Sequence, residues 1–143
     1  AGVILPKSGQ VYIDLKKGDR SRAELLAQQL QASGYSVVAA PETAAFLEEQ
    51  SVTVKSIEDI TAVMTQIANH EIVMVFITVD EKRSAIQASQ NIRKAALAAR
   101  IPLYSTIAGA EAATLALKHL ENYDVYAVQK LHISLQEPLK ATL

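Results

Sequence analysis

Short apolar runs alternate along the chain with longer segments in which apolar residues recur at helical spacing. The run Ile72–Ile77 (IVMVFI) is apolar without alternation, which is typical of a strand buried on both faces of a parallel sheet. In the longer segments apolar residues return every three or four positions, as at Ala23, Leu26, Ala27 and Leu30, so each helix turns one face to a core. The pattern predicts strands and helices in alternation.

Turn-forming residues set the predicted boundaries. Gly34 should end the first helix in the left-handed conformation, and Pro41 with Glu42 suits the first turn of the second. Ser56 should cap the third helix, with Asp59 three residues on as a capping-box partner. The predicted strands cover 11–15, 35–39, 52–54, 72–77 and 101–104, with a sixth, edge strand over 125–128. The predicted helices cover 21–33, 41–50, 56–70, 85–100 and 108–120.

Two further predictions concern the placement of particular residues. The inward candidates of the fourth helix are Ile86, Ile92, Ala96 and Leu97. Pro102 should lie at the start of the fifth strand or off its hydrogen-bonded ladder, because proline has no N–H to donate.

Alternation of this kind predicts an α/β fold. We expect three layers: a doubly wound, mainly parallel sheet of five or six strands with helices on both faces. Ligands of such folds bind beyond the carboxyl ends of the strands. The segments that follow the strands are therefore the candidate site: 14–22, 40–43, 78–83 and 105–109.

Length, charge and cysteine content exclude several classes of function. The chain has 143 residues, a length typical of one domain, and half of them are hydrophobic. Its formal net charge is -1, so no long-range field favours nucleic acid or a membrane surface. It has no cysteine, which excludes disulfides and thiolate chemistry and suits a cytoplasmic protein. No apolar run approaches the ~20 residues of a membrane-spanning helix. Because the chain lacks an initial Met, it is either processed or cut from a longer protein, and we expect the latter.

The turn after the first strand carries the most suggestive charges. One glycine, Gly18, stands where a dinucleotide fingerprint needs three, and no Gly-Lys-Ser/Thr follows, so neither nucleotide motif is present. Free N–H groups at a helix start beside Arg20 can still hold an anion such as phosphate. The alternative is a solvated basic turn, since charge clusters usually face water.

Acidic residues at strand ends suggest a phospho-acceptor receiver domain, which has a similar fold and length. Such a domain needs paired acids after the first strand, an Asp after the third and a Lys after the fifth. Here the first strand is followed by a single acid, Asp14, the third by Lys55 and the fifth by Ser105. Only Thr78, after the fourth strand, fits the receiver pattern. Asp14 and Asp80 have no histidine near them in sequence, so a solvated pair is favoured over a metal site. We predict no metal site.

Ser105 and Thr106 precede the alanine-rich fifth helix. No Gly-x-Ser-x-Gly elbow surrounds them, so capping of that helix is favoured over nucleophilic catalysis.

Three segments taken together resemble one family. They are "GDRSRAELLAQQLQASGYSVVAAPETAAFLEE", "SAIQASQNIRKAALAARIPLYSTIAGAEAATLAL" and "VYAVQKLH". In order and spacing they are similar to the methylglyoxal-synthase-like domain, in the version found at the C-terminus of carbamoyl-phosphate synthetase large subunits. The resemblance implies a linker from a preceding domain over 1–9, the methylglyoxal-synthase-like domain over 10–132 and a C-terminal tail over 133–143.

The resemblance implies a regulatory domain that binds allosteric effectors, such as pyrimidine or purine monophosphates, and has no catalytic residue. The family's Thr-x-Gly-Thr phosphate turn is matched by residues 40–43, where only Thr43 survives, and its first-loop Lys by Arg20. The family's Asn-Thr-Thr is matched by Thr78, Val79 and Asp80. The ornithine-linked position of the family is matched by Ser105, with Thr106 beside it.

Departures from the family pattern concern charge. Asp14, Glu42 and Asp80 would place three carboxylates in one pocket, where they repel each other and an incoming phosphate. We therefore expect the nucleotide response to be weakened or lost. The Gly-Asp-Pro segment of true methylglyoxal synthases is absent, so we expect no synthase activity.

The resemblance also implies partners. These are the preceding ATP-grasp domains of the same chain and a glutaminase small subunit, with a second copy of the chain as an open alternative. It implies no cofactor in this domain, with ATP and Mg or Mn used by the parent enzyme in arginine or pyrimidine biosynthesis. Two alternatives stay open, namely a stand-alone doubly wound enzyme or small-molecule-binding protein, and an interaction module.

Overall fold

A parallel sheet of five strands forms the middle layer of the computed structural model, which describes residues 8–78 and 83–122. The strands are β1 (Gly9–Asp14), β2 (Tyr35–Ala39), β3 (Lys55–Ser56), β4 (Ile72–Ile77) and β5 (Leu103–Tyr104). The helices are α1 (Ala23–Ala32), α2 (Pro41–Glu49), α3 (Ile60–Ala68), α4 (Arg83–Ala99) and α5 (Ile107–Asn122), with a 3₁₀ helix at Lys17–Arg22.

The strand order is β3-β2-β1-β4-β5, and every neighbouring pair is parallel. The chain first winds outward from β1 through β2 to β3, then returns to the other side of β1 for β4 and β5. Val11 is therefore flanked by Val37 on one side and Met74 on the other. The predicted doubly wound α/β fold is confirmed, and the direction of winding changes between β1 and β4, where such folds place their ligands.

Side chains of β1 alternate between two cores, one on each face of the sheet. Ile13 packs with residues of α1, α2 and α5, whereas Tyr12 packs with residues of α3 and α4. The prediction for α4 is half right. Ile92 and Ala96 are buried, but Ile86 and Leu97 are 41% and 81% exposed. The buried face of α4 runs through Ser89, Ile92 and Ala96 at helical spacing, and the other two apolar residues lie off that face.

The third strand and the start of α3 lie later than predicted. Val52 is buried, but its N–H donates to the Leu47 carbonyl at 2.9 Å, so it closes α2 and is not part of a strand. Pairing with β2 begins only at Lys55. Ser56 belongs to β3, and the cap of α3 is Asp59, whose carboxylate accepts from the Thr61 N–H at 2.9 Å.

Other boundaries also differ from the prediction. β1 covers Gly9–Asp14, so it begins two residues and ends one residue earlier than the predicted 11–15. The first helix was predicted to begin at Ser21, but Ser21 lies in the 3₁₀ helix. Gly18 belongs to the same 3₁₀ helix. β5 begins at Leu103, and Pro102 precedes it, as expected for a residue without an N–H. The predicted edge strand 125–128 and the tail lie outside the described residues.

In the described part of the chain, four helices are followed closely by a residue with left-handed backbone geometry. After α1 this is Gly34, with φ of 97°, as predicted from the sequence. After α2, α3 and α4 it is Ser51, His70 and Arg100, with φ between 59° and 64°. Glycine adopts this geometry at lower cost than these three residues.

In the part of the chain that the structure describes, no helix is both long and apolar enough to cross a membrane.

Candidate functional site

The site forms where β1, β2 and β4 end side by side. The Ala40 N–H donates to the Ile13 carbonyl at 3.1 Å, and the Thr78 N–H donates to the Asp14 carbonyl at 2.9 Å. The residues that follow β2 and β4 are thus tied to the end of β1. Of the four segments predicted to form the site, the structure thus brings those after β1, β2 and β4 together as far as Thr78, and residues 79–82 lie outside the described residues.

Thr43 lies in the first turn of α2 and is fully buried. Its hydroxyl accepts a hydrogen bond from the Leu15 N–H at 3.0 Å and donates one to the Leu15 carbonyl at 3.4 Å. The hydroxyl therefore holds the main chain where it leaves β1.

Thr78 repeats this arrangement from the other side. Its side-chain hydroxyl accepts from the Lys16 N–H at 2.9 Å, and the residue is buried. The structure therefore brings both predicted threonines together at the end of β1. In both, hydrogen bonds to the protein's own main chain engage the hydroxyl, which leaves less of its capacity for a ligand.

Arg20 lies in the 3₁₀ helix and is held at two points. Its Nε donates to the Leu15 carbonyl at 3.1 Å, and its Nη2 lies 2.6 Å from Oε2 of Glu42. The Arg20 side chain is 21% exposed and that of Glu42 is 78% exposed. The cation that the sequence proposed for an external anion is thus already paired with a carboxylate of α2.

Asp14 ends β1 beside this pair. Burial raises the pKa of its carboxyl, the Arg20 charge partly opposes that shift, and the Glu42 charge adds to it. The Asp14 carboxyl therefore lies within electrostatic reach of both Arg20 and Glu42. The third, Asp80, lies outside the described residues.

Ser105 and Thr106 lie apart from this group. They follow β5, and β4 separates that strand from β1. The Thr106 hydroxyl accepts from the Gly109 N–H at 3.0 Å, which confirms the predicted capping of α5. Ser105 is exposed.

Besides the pairing of Arg20 with Glu42, sequence reasoning missed a second ion pair close to the site. The guanidinium of Arg22, at the end of the 3₁₀ helix, holds both carboxylate oxygens of Glu111 on α5, with Nε 2.8 Å from Oε2. This fork joins the turn after β1 to a helix 89 residues later in the chain. No local pattern could have indicated it, because only the packing of α5 beside α1 brings the two residues together.

Two further observations limit the chemistry of the described residues. Among them, no three His, Cys, Asp or Glu side chains cluster as a metal site would require. A surface concavity of about 390 Å³ lies along β2 and includes Gln10 and Tyr35, the second and first residues of their strands. It does not include the side chains at the carboxyl ends of the strands.

Residues 22–105 match the family model of the MGS-like domain. A carbamoyl phosphate synthase large chain from Ralstonia nicotianae is 44% identical over 139 residues, which are 94% of this chain and 13% of that relative. Another, from Haemophilus ducreyi, is 38% identical over 138 residues, with the same coverage. The corresponding chain of Neisseria meningitidis serogroup A is 33% identical over 136 residues, 92% of this chain and 13% of the relative. The chain thus spans about 13% of the length of these relatives.

Proposed function

Because the chain belongs to the MGS-like domain family, we propose that it is the allosteric regulatory domain of a carbamoyl phosphate synthase large chain. The observation that carries this proposal is the 44% identity over 94% of the chain to one such large chain. In this role the domain holds an effector and has no catalytic centre of its own. Residues 10–132 are its extent, with a linker before it and a tail over 133–143.

The effector binds at the carboxyl ends of the strands, the position that doubly wound folds use for ligands. Arg20, Thr43, Thr78 and Asp14 surround this position, and we assign Asp80 to it as well. The exposed Ser105, with Thr106 beside it, is the position linked to ornithine.

The response of this site to nucleotide monophosphates is weakened. Three features of the site support this. The Arg20 guanidinium already has a carboxylate partner, the hydroxyls of Thr43 and Thr78 bind main-chain groups, and Asp14 adds a further acidic group. A phosphate entering here gains fewer hydrogen bonds than a free arginine and two free hydroxyls would give, and it meets like charge.

The parent enzyme of this proposal makes carbamoyl phosphate for arginine or pyrimidine biosynthesis in the cytoplasm. Its ATP and its Mg²⁺ or Mn²⁺ bind to the ATP-grasp domains that precede this one. A glutaminase small subunit completes it, and self-association of the parent is compatible with the proposal.

Calorimetric titration of the chain with uridine and inosine monophosphates tests the weakened response. We expect no binding in the micromolar range, and micromolar affinity for either nucleotide would overturn this part of the proposal. For any phosphate ligand that does bind, Arg20→Ala should weaken binding by about 1.5–3 kcal/mol, the usual contribution of a hydrogen bond to a charged group.

The DNA upstream of the codon for Ala1 tests the assignment to a large chain. A region that encodes ATP-grasp domains there supports it. A start codon immediately before Ala1 would instead favour a stand-alone small-molecule-binding protein.

A further inference from the structure

Glu42 lies where an external anion would be expected to bind. It stands in the first turn of the nine-residue helix α2, the end of the helix dipole that attracts negative charge. Its carboxylate contacts the Arg20 guanidinium at 2.6 Å. The protein therefore supplies its own anion to the cation of the strand-end site.

We propose that Glu42 is the residue that sets the charge selectivity of this site, by occupying Arg20 and excluding phosphate groups. The proposal rests on the proposed function, which assigns effector binding to the strand ends. It predicts that the site is a latent oxyanion site and that loss of the Glu42 charge restores phosphate binding.

The geometry leaves the cation in place when Glu42 is removed. The Arg20 Nε donates to the Leu15 carbonyl at 3.1 Å, and that carbonyl is held in turn by Thr43. The guanidinium thus keeps its attachment to the main chain when Glu42 is removed. Without Glu42, its Nη2 can donate to a phosphate oxygen, a type of hydrogen bond that is among the stronger ones in proteins.

The exposure of the Glu42 side chain indicates that its charge affects ligand binding more than it affects the stability of the fold. At 78% exposed, the Glu42 side chain is mostly in water, and exposed ion pairs contribute little to folding. Substitution of Glu42 should therefore leave the fold intact while it changes the net charge that a ligand meets. Like-charge juxtaposition of this kind is a common means of excluding a wrong ligand.

The test uses inorganic phosphate as the probe. The unaltered chain and Glu42→Gln are titrated with phosphate at constant pH and ionic strength, and binding is followed by the phosphorus NMR line width. We expect Glu42→Gln to bind phosphate about tenfold more tightly, because it gains a charged hydrogen bond and loses one repulsive charge. Glu42→Ala, which removes the charge without adding an amide, should show a gain in the same direction.

Two control variants separate the role of Glu42 from a general effect of charge. Glu111→Gln removes one negative charge from the other ion pair, with Arg22, and should leave the phosphate affinity unchanged. The double variant Arg20→Gln, Glu42→Gln should lose the gain. Equal affinity of the unaltered chain and both Glu42 variants would overturn the proposal, as would an equal gain in Glu111→Gln or a gain that survives the loss of Arg20.

The experiment can fail separately from the proposed function. Nucleotide binding to the unaltered chain tests the weakened response, whereas the difference between Glu42→Gln and the unaltered chain tests the role of Glu42.

Discussion

At the end of β1, three side-chain hydrogen bonds converge on the main chain of Leu15. The Thr43 hydroxyl bonds to both its N–H and its carbonyl, and the Arg20 Nε donates to the same carbonyl. Leu15 itself is fully buried. A buried N–H without an acceptor is costly, so the Thr43 hydroxyl has a structural role whether or not it also touches a ligand.

Thr43→Val keeps the shape of the side chain and removes the hydroxyl. We expect it to lower the free energy of unfolding by about 1–3 kcal/mol, because the Leu15 N–H is left buried without an acceptor. Urea denaturation measures this. The matched control is Thr65→Val on α3, where an exposed hydroxyl donates to the Thr61 carbonyl and the change should stay within about 0.5 kcal/mol. Equal costs for both variants would contradict the structural role of Thr43.

The partly buried carboxyl of Asp14 makes stability depend on pH. Burial raises its pKa in the folded state, so between the usual aspartate pKa and the raised one the folded chain binds more protons than the unfolded chain. The contribution of Asp14 to the free energy of unfolding therefore falls as the pH rises through this window.

Asp14→Asn removes this dependence, because the amide does not titrate. Relative to the unaltered chain, we expect the variant to gain stability as the pH rises from below the usual aspartate pKa to neutrality. Urea denaturation of both chains over this range gives the difference at each pH. A difference that is flat, or that decreases with pH, would show that burial does not dominate the electrostatics of Asp14.

At the scale of the elements, the helix ends show where local sequence and local geometry disagree. α1 ends on a glycine in the left-handed region, but α2 ends on Ser51 with φ of 64°. Ser51 is exposed, and its N–H donates to the Glu48 carbonyl at 3.0 Å. Ser51 thus adopts a left-handed backbone conformation that glycine would adopt at lower cost.

Ser51→Gly should therefore raise the free energy of unfolding by about 0.5–1 kcal/mol, since glycine adopts positive φ without the steric cost of a Cβ. Thermal or urea denaturation measures the change. The control is Ser33→Gly one residue before Gly34, where φ is -88° and the same substitution should destabilise by a similar amount. Changes of the same sign in both variants would refute the account.

The elements also show what periodicity can predict. The five helices have enough residues for a repeat to be recognised, whereas β4 is recognised as a continuous apolar run of six residues, and all six elements were predicted. β3 and β5 have only two residues each, too few to show alternation. The third strand was consequently predicted at 52–54, whereas β3 begins at Lys55. Val52 is buried like a strand residue, but it closes α2.

At the scale of the whole molecule, the strand order sets a gradient of protection from solvent. β1 is hydrogen-bonded to β2 on one side and to β4 on the other, whereas β3 and β5 pair on one side only among the described residues. Both faces of β1 are covered by helices. Opening of β1 therefore requires the disruption of most of the fold, while the ends of the sheet can open alone.

Amide hydrogen exchange should follow this gradient. We expect the amides of Tyr12 and Ile13 in β1 to exchange at least about 100-fold more slowly than those of Lys55 and Ser56 in β3, because they open only with the global unfolding of the chain. NMR-detected exchange measures each amide separately. Equal protection of β1 and β3 would contradict the central position of β1.

The sequence by itself determined the fold class and predicted that the segments after β1, β2 and β4 lie side by side. Alternation of apolar runs and amphipathic segments dictates a parallel sheet between two helical layers, and the ends of the strands are then placed at one edge. Gly34 and Thr106 were also predictable, because a helix end and a helix cap depend on residues within a few positions of each other.

Only the tertiary structure decided what the site residues contact. Arg20 pairs with Glu42 across 22 residues, Thr43 binds Leu15 across 28, and Arg22 holds Glu111 across 89. Periodicity reports the burial of a residue on its own helix or strand, but which side chains meet depends on strand order and helix packing. The sequence could therefore place a cation at the strand ends, whereas the folded chain determined that a carboxylate of its own already occupies it.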